Sequence, residues 1–296
     1  MLDPTTKYGI LVGVDGSAES DAAVVWAARE GVMRNVPVTL FHVVAPIIVG
    51  WPVGRLYTEM PDWQKDDAQR VIDRARKALS TSLGDSAGLQ VRTEQAYSAV
   101  SPTLVEASRE ASMIVVGSVG MSGLGRLLLG SVSTAVLQHA HGPVAVVHSD
   151  GGVPPRTDGA VVVGIDGSAA SETATALAFD EASRRGAELV ALHAWSDVGV
   201  FPVLGMDWRD RERNGEEVLA ERLAGRQEQY PDVQVRRELV CDTPARWLLE
   251  QCESAQLVVL GSRGRGGFPG MRLGSVSSAV AQAARIPVIV APAKGI

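Results

Sequence analysis

Cysteine is scarce in this chain. Only Cys241 and Cys252 occur in 296 residues. Two thiols cannot build a disulfide framework, so both read as small buried hydrophobes of a reducing cytosol. Lysine is as scarce. Lys7, Lys65, Lys77 and Lys294 are the whole set, and none lies in a glycine-rich stretch, which removes the G-x-x-x-x-G-K-[ST] phosphate loop. Net positive charge is missing too. The chain carries −6 at pH 7, the wrong sign for phosphate neutralisation along a duplex, so no nucleic acid partner is expected. No run is apolar over the ~20 residues a membrane span needs. The first residues show no basic stretch leading into a long apolar one. The expectation is a soluble, cytoplasmic protein with no membrane partner. What is present, 46% hydrophobic and 21% charged residues, suffices for ordinary globular cores.

The chain repeats itself. GILVGVDGSAESDAAVVWAA from Gly9 matches AVVVGIDGSAASETATALAF from Ala160, pairing Asp15 with Asp166 at an offset of 151. His42 pairs with His193 at the same offset. MIVVGSVG from Met113 then matches LVVLGSRG from Leu257, and LGSVSTAVLQHAHGPVAVV matches LGSVSSAVAQAARIPVIVA, now at an offset of 144. A self-match this long, in one order, is two copies of one domain. Residues 149–159, SDGGVPPRTDG, have linker composition, which gives domains at 1–148 and 160–296.

Within the first copy short apolar runs alternate with helical patterns. Strands are expected at Gly9–Asp15, Val38–Val44, Leu89–Ala96, Met113–Gly117 and Val144–His148. Helices are expected at Ala18–Arg34, Trp63–Leu83, Pro102–Ala111 and Ser131–His141. Strands of nearly continuous Val, Ile and Leu suit a parallel sheet covered on both faces, so each copy reads as a doubly wound α/β domain.

Ligands of such sheets sit beyond the carboxyl ends of the strands, where strand order reverses. Two features fall there. Asp15 and Asp166 close the first strand of each copy, followed by Gly-Ser. The fourth strands run into Gly117-x2-Gly120-x9-Gly130-Ser131 and Gly261-x2-Gly264-x9-Gly274-Ser275. Bare backbone N–H groups can approach an oxyanion closely. Ser131 and Ser275 each open a helix, whose N-terminus favours phosphate. Arg263, Arg265 and Arg272 add charge in the second copy. The loops therefore point to polyphosphate held by main chain. If the first and fourth strands are neighbours, each aspartate faces its own glycine loop; periodicity leaves that order open. A plain helix N-cap is the other reading of both aspartates. No G-x-G-x-x-G follows the first strand, so a dinucleotide fold is not indicated.

With VGVDGS, VGIDGS, a second strand carrying histidine, and G-x2-G-x9-G-S placed twice, the chain resembles the universal stress protein family in its tandem, ATP-binding form, over nearly its whole length. The resemblance implies two flavodoxin-like (Rossmann-like) domains, each with a five-stranded parallel sheet of order 3-2-1-4-5, and pairing through the last strand. It also implies ATP, with Mg, as cofactor and a homodimer formed by edge strands. By the same resemblance Asp15 and Asp166 lie beside the ribose and phosphates or their metal, and Gly13 and Gly164 let the backbone pass close. Gly117, Ser118, Val119, Gly120, Met121, Ser122 and Gly123, with Gly130, Ser131 and Val132, wrap the nucleotide in copy one. Gly261, Ser262, Arg263, Gly264, Arg265, Gly266 and Gly267, with Gly274, Ser275, Val276 and Ser277, do so in copy two. Adenine would meet backbone near Val43 and Ala194. Copy one has Val119 and Met121 where copy two has Arg263 and Arg265, with Arg126 its one loop cation. Weaker ATP binding follows there, by ~1 kcal/mol per lost charge-assisted contact.

Other residues carry less. His139, His141 and His148 do not make a metal site, since copy two has Ala283 and Arg285 at the first two positions. His42 and His193 read as satisfied core histidines. Trp51, Trp63, Trp195 and Trp208 either pack the following helix on the sheet or close over adenine. No serine has a base nearby in sequence, so no catalytic residue is assigned. The leading function is a nucleotide-dependent stress-response module with little turnover. A slow ATPase or nucleotidyl-transfer enzyme, and an assembly scaffold with empty clefts, are the alternatives.

Overall fold

The computed structural model describes residues 6–46, 62–83, 88–120, 129–149, 151–194, 208–241, 243–265 and 272–293. The chain divides into two compact units, Leu2–Pro155 and Arg156–Ile296. The first contains β1 (Ile10–Gly13), α1 (Ala18–Arg34), β2 (Val38–Val44), α2 (Asp62–Leu83), β3 (Val91–Tyr97), α3 (Val100–Ala107, continued as a 3-10 turn to Glu110), β4 (Met113–Gly117), α4 (Ser131–His139) and β5 (Val144–Val147). The second contains β6 (Ala160–Gly164), α5 (Ala169–Arg185), β7 (Leu189–Ala194), α6 (Trp208–Gln229), β8 (Val235–Val240), α7 (Pro244–Cys252), β9 (Ala255–Gly261), α8 (Ser275–Ala283) and β10 (Val288–Ala291).

Each unit is a parallel sheet with helices on both faces. The strand order is β3-β2-β1-β4-β5 in the first unit and β8-β7-β6-β9-β10 in the second. Ile10 lies opposite both Val38 and Met113, so β1 is central and its neighbours come from separate parts of the sequence. Ile10, Leu11 and Val12, with Met113, Ile114 and Val115, are buried. That is why these strands are apolar at every position rather than at every second one. β3 lies at an edge and alternates, with Val91, Thr93 and Ala96 less exposed than Arg92 and Glu94. α1 packs beside α2, and α3 beside α4. The order reverses between β1 and β4, and again between β6 and β9, which opens a crevice at the carboxyl ends of those strands in each unit.

The helices start and stop for local reasons. Ser17 caps α1, its Oγ accepting from the Ser20 N–H, and Glu19 and Asp21 suit the positive end of the dipole. Asn35 closes that helix in the left-handed region at φ 51°, a conformation asparagine tolerates. Ser168 caps α5 in the same way. The aspartates are therefore not the caps; the serines two residues later are.

Several boundaries differ from the sequence reading. β1 ends at Gly13, two residues before Asp15, although the Val14 N–H still bonds the Phe41 carbonyl at 3.0 Å. β3 runs Val91–Tyr97 rather than from Leu89 to Ala96. α3 begins at Val100, because Pro102 sits in its first turn, where the missing N–H is not needed. α4 stops at His139, with Ala140 extended at ψ 150°. Pro143 disfavours helix in the residue before it, so His141 lies outside the helix and its N–H goes to Ser108 Oγ at 3.0 Å. Cys252 is buried as expected, but Cys241, just past the end of edge strand β8, is exposed. Trp63 is 59% exposed and does not anchor α2; Ala68, Ile72 and Ala75 do. Trp51, Trp195 and the side chain of Trp208 lie outside the described residues.

A candidate nucleotide crevice in each unit

The turn after the first strand is built around its aspartate. Asp15 Oδ1 accepts from the Ser17 N–H at 2.9 Å and the Ser17 hydroxyl at 2.6 Å. Asp166 Oδ1 accepts from the Ser168 N–H at 2.9 Å. Between aspartate and serine stand Gly16 and Gly167, at φ +83° and +77°. An L side chain there would be strained, so the Asp-Gly-Ser triplet is a turn that holds the carboxylate up at the strand end. The histidines of β2 and β7 brace the same turn. His42 Nδ1–H donates to the Val14 carbonyl at 2.7 Å, and His193 Nδ1–H to the Ile165 carbonyl at 2.6 Å.

The glycine loop arrives against this turn. A Cβ on Gly120 would stand 2.5 Å from Asp15 Oδ2, and one on Gly264 would collide with Asp166 Oδ2. In the second unit the Arg265 N–H donates to Asp166 Oδ2 at 3.2 Å, and Ser168 Oγ donates to the Arg263 carbonyl at 3.1 Å. The aspartate thus latches the loop to the turn. The loop neck is closed as well: the Gly130 N–H donates to the Ser118 carbonyl at 2.8 Å, and the Gly274 N–H to that of Ser262 at 2.7 Å.

From this neck α4 and α8 start with Gly130 and Gly274 at the N-cap and no side-chain cap hydrogen bond. The first-turn N–H groups of Ser131, Val132 and Ser133, and of Ser275, Val276 and Ser277, are left by helix geometry without intrahelical partners. Ser131 and Ser275 are exposed. The helices that open at the crevice have glycine caps, while α1 and α5 carry serine caps; α3 and α7, away from the glycine loops, also start without a side-chain cap.

The structure adds packing contacts at several of the glycines singled out in the sequence. The absent side chain of Gly117 makes room for α1, since a Cβ there would lie 2.9 Å from the Glu19 carbonyl carbon. At Gly261 a Cβ would lie 2.7 Å from that of Ala170 on α5. Gly13 faces Leu104 of α3 and Val116, and Gly164 faces Leu260 and Leu248. Gly117 and Gly261 thus serve sheet–helix packing, Gly164 gives room to Leu260 of the neighbouring strand, and at Gly13 a Cβ would meet only ordinary contacts. The Ser277 hydroxyl is committed to the Gly261 carbonyl and Ser133, its counterpart, to that of Gly117 at 2.7 Å. Ser118 and Ser262 are buried, and Val119 and Arg263 half-buried. Met121, Ser122, Gly123, Gly266 and Gly267, with Arg126, lie outside the described residues. Gly16, Gly167, Ser17 and Ser168 were missed as parts of the site; the Asp-Gly turn signal pointed to them. Among the described residues no group of three or more His, Cys, Asp or Glu side chains could hold a metal ion, and no helix is long and apolar enough to cross a membrane.

Fold and crevice together define a class: tandem, doubly wound α/β domains in which an Asp-Gly-Ser turn faces a glycine loop and an uncapped helix. The model of the Universal stress protein family matches residues 9–148 and again 159–292, and the chain belongs to that family. It is similar to a universal stress protein of Mycolicibacterium smegmatis, 54% identical over 290 residues that cover 98% of this chain and 99% of the relative. It is also similar to universal stress protein Rv2005c of Mycobacterium tuberculosis, 52% identical over 292 residues with 98% and 99% covered. Among solved structures, a universal stress protein of Archaeoglobus fulgidus superposes at a TM-score of 0.67 and 24% identity, covering 96% of each chain. That likeness shows the fold.

Proposed function

We propose that each unit binds an adenine nucleotide in this crevice, ATP with Mg being the intended ligand, and that occupancy rather than turnover is the output. The observation that carries the reading is the pair of glycine-capped helices. α4 and α8 present first-turn N–H groups with no side-chain cap, beside a glycine loop that packs on Asp15 in the first unit and is hydrogen-bonded to Asp166 in the second. Such an N-terminus suits a phosphate chain by its N–H groups and its partial positive charge. The loop backbone at Gly117–Gly120 and Gly261–Arg265, with Ser131, Val132, Ser275 and Val276, would wrap ribose and phosphates. The base would lie toward Val43 and Ala194, at the ends of β2 and β7.

Magnesium fits as a companion of the phosphates. It binds through one or two carboxylates plus substrate oxygens, and each crevice offers one aspartate. The ion would neutralise the phosphate chain; the protein's part is to bind and orient that chain by its main-chain N–H groups. No lysine or arranged base among the described residues serves phosphoryl transfer, which favours a module that reports nucleotide state in a stress response over an enzyme. Domain limits of 1–148 and 160–296, a cytoplasmic setting and an edge-strand homodimer belong to the same proposal.

The test is to denature the purified chain and identify the released nucleotide, then to incubate the refilled protein with ATP. Stoichiometric, unhydrolysed ATP is the expected result. Multiple turnover would make it an enzyme, and protein that neither carries nor takes up nucleotide would make it a scaffold.

A further inference from the structure

The two crevices share a backbone and differ in charge. Gly130 packs with its Cβ direction 3.5 Å from Val119 Cα, and Gly274 with its own 3.5 Å from Arg263 Cα. Position 119 and position 263 therefore stand at the same place beside the uncapped helix, one carrying an isopropyl group and the other a guanidinium. Arg265 adds a second cation. Its backbone is latched to Asp166, and its guanidinium lies over the Asp166–Gly167 turn, where a Cβ on Gly167 would collide with it. The matching residue in copy one is Met121.

A third difference lies on the opposite wall. The residue that Gly117 packs against is Glu19, in the first turn of α1; the residue that Gly261 packs against is Ala170. Copy one thus places a carboxylate side chain at the strand end where copy two has a methyl group. Each loop has one further arginine, Arg126 in the first and Arg272 in the second, at positions that do not correspond. Asp15 and Asp166 match as well.

We infer that the crevices are tuned to different ligands. The second, with Arg263 and Arg265 and no carboxylate at position 170, selects a nucleoside triphosphate. The first, with Val119 and Glu19, accepts an adenine nucleotide of lower phosphate charge equally well. The inference rests on the proposed nucleotide reading and adds that the tandem compares two nucleotide states rather than reading one state twice. The physical ground is charge. A contact between a guanidinium and a phosphate oxygen is charge-assisted, and each one lost lowers affinity about 5-fold. Glu19 adds one negative charge to the first turn of α1 that copy two lacks at Ala170, and that charge opposes the more highly charged ligand more strongly.

The experiment is calorimetric titration of the full chain with Mg-ATP and, separately, with AMP. Wild type should show two ATP classes at least about 10-fold apart, and AMP classes that differ by less. Arg263→Val with Arg265→Met should weaken the tight ATP class about 10-fold or more and bring it close to the other, with the fold of the loop kept because the Arg265 N–H to Asp166 bond is a backbone bond. Val119→Arg with Glu19→Ala should raise the weak ATP class about 10-fold or more and raise AMP affinity by a smaller factor. If the arginine variant does not fold, salt dependence in wild type gives a second readout. The tight ATP class should weaken more steeply than the other as ionic strength rises. Two equal ATP classes in wild type, or an equal ATP-to-AMP preference in both, overturn this inference while leaving nucleotide binding in place. Absence of binding by both nucleotides defeats the nucleotide reading and this inference with it.

Discussion

A methyl group added at Gly117 or Gly261 separates two explanations of these glycines. On the packing explanation, the Gly117→Ala Cβ stands 2.9 Å from the carbonyl carbon of Glu19 and 3.0 Å from its Cβ. Carbon atoms prefer 3.5–4.0 Å, so α1 must retreat from β4 by roughly 0.6–1 Å. At Gly261→Ala the Cβ stands 2.7 Å from the Ala170 carbonyl carbon and 2.8 Å from the Ser171 nitrogen, so the retreat of α5 is larger. Both helices cover the central strands, and overpacking of this kind costs about 1–3 kcal/mol. In a domain of this size each kcal/mol moves the midpoint by roughly 2–4 °C. Gly117→Ala should therefore lower the thermal midpoint of its unit by about 4 °C and Gly261→Ala by somewhat more, without added nucleotide. Circular dichroism melts of the ligand-free chain measure this. Gly120→Ala is the internal comparison. Its obstruction is the Asp15 Oδ2 at 2.5 Å, so Asp15→Ala in the same chain should relieve the clash, and the double-mutant cycle should show strong coupling. An unchanged midpoint for Gly117→Ala, with nucleotide binding lost, would refute the packing account and restore close ligand approach as the reason for glycine.

Burial pushes the Cys252 thiol up to about 12, so at pH 8 one equivalent of a thiol reagent should react promptly, at Cys241, and the second only on unfolding. Because the folded pKa is raised above the unfolded value of 9.0, that group's contribution is intact below pH 9 and is lost as pH rises toward 12; Cys252→Ala should flatten the stability profile in that window. Ser17→Ala removes both the α1 cap and the hydroxyl bond to Asp15. It should cost about 1–2 kcal/mol in denaturant unfolding, with Ser17→Thr, which keeps a hydroxyl to cap and to donate to Asp15, recovering most of it.

Much of the fold was legible because one domain is written twice. Periodicity placed α1, β2 and β4 at their observed limits, since Ser17, Asn35 and the Val-rich runs leave little choice. The neighbouring of β1 and β4 was not legible, because parallel pairing is a long-range choice that local pattern does not encode. It came only through the family resemblance. The site was half legible. Spaced glycines and Gly-Ser helix starts marked the loops that the structure brings against the Asp-Gly-Ser turns. What each glycine does was not marked, because the group that Gly117 accommodates lies on α1, nearly a hundred residues earlier in sequence. The same distance hid Glu19, whose meaning depends on facing Gly117. The Ser277 hydroxyl looked available in sequence and is spent on the Gly261 carbonyl, a bond that strand and helix make only once folded together.

The closed neck of the glycine loop has a consequence for how these domains diversify. With Gly130 bonded to Ser118, and Ser133 tethered to Gly117, the two stems form a fixed socket; Gly274, Ser262, Ser277 and Gly261 form its twin. Gly120 and Gly264 must stay small against the aspartates, but the stem bonds do not depend on the side chains of the tip. Evolution could therefore rewrite one tip with valine and methionine and the other with arginine after duplication, and a cassette cut from one half should seat in the other.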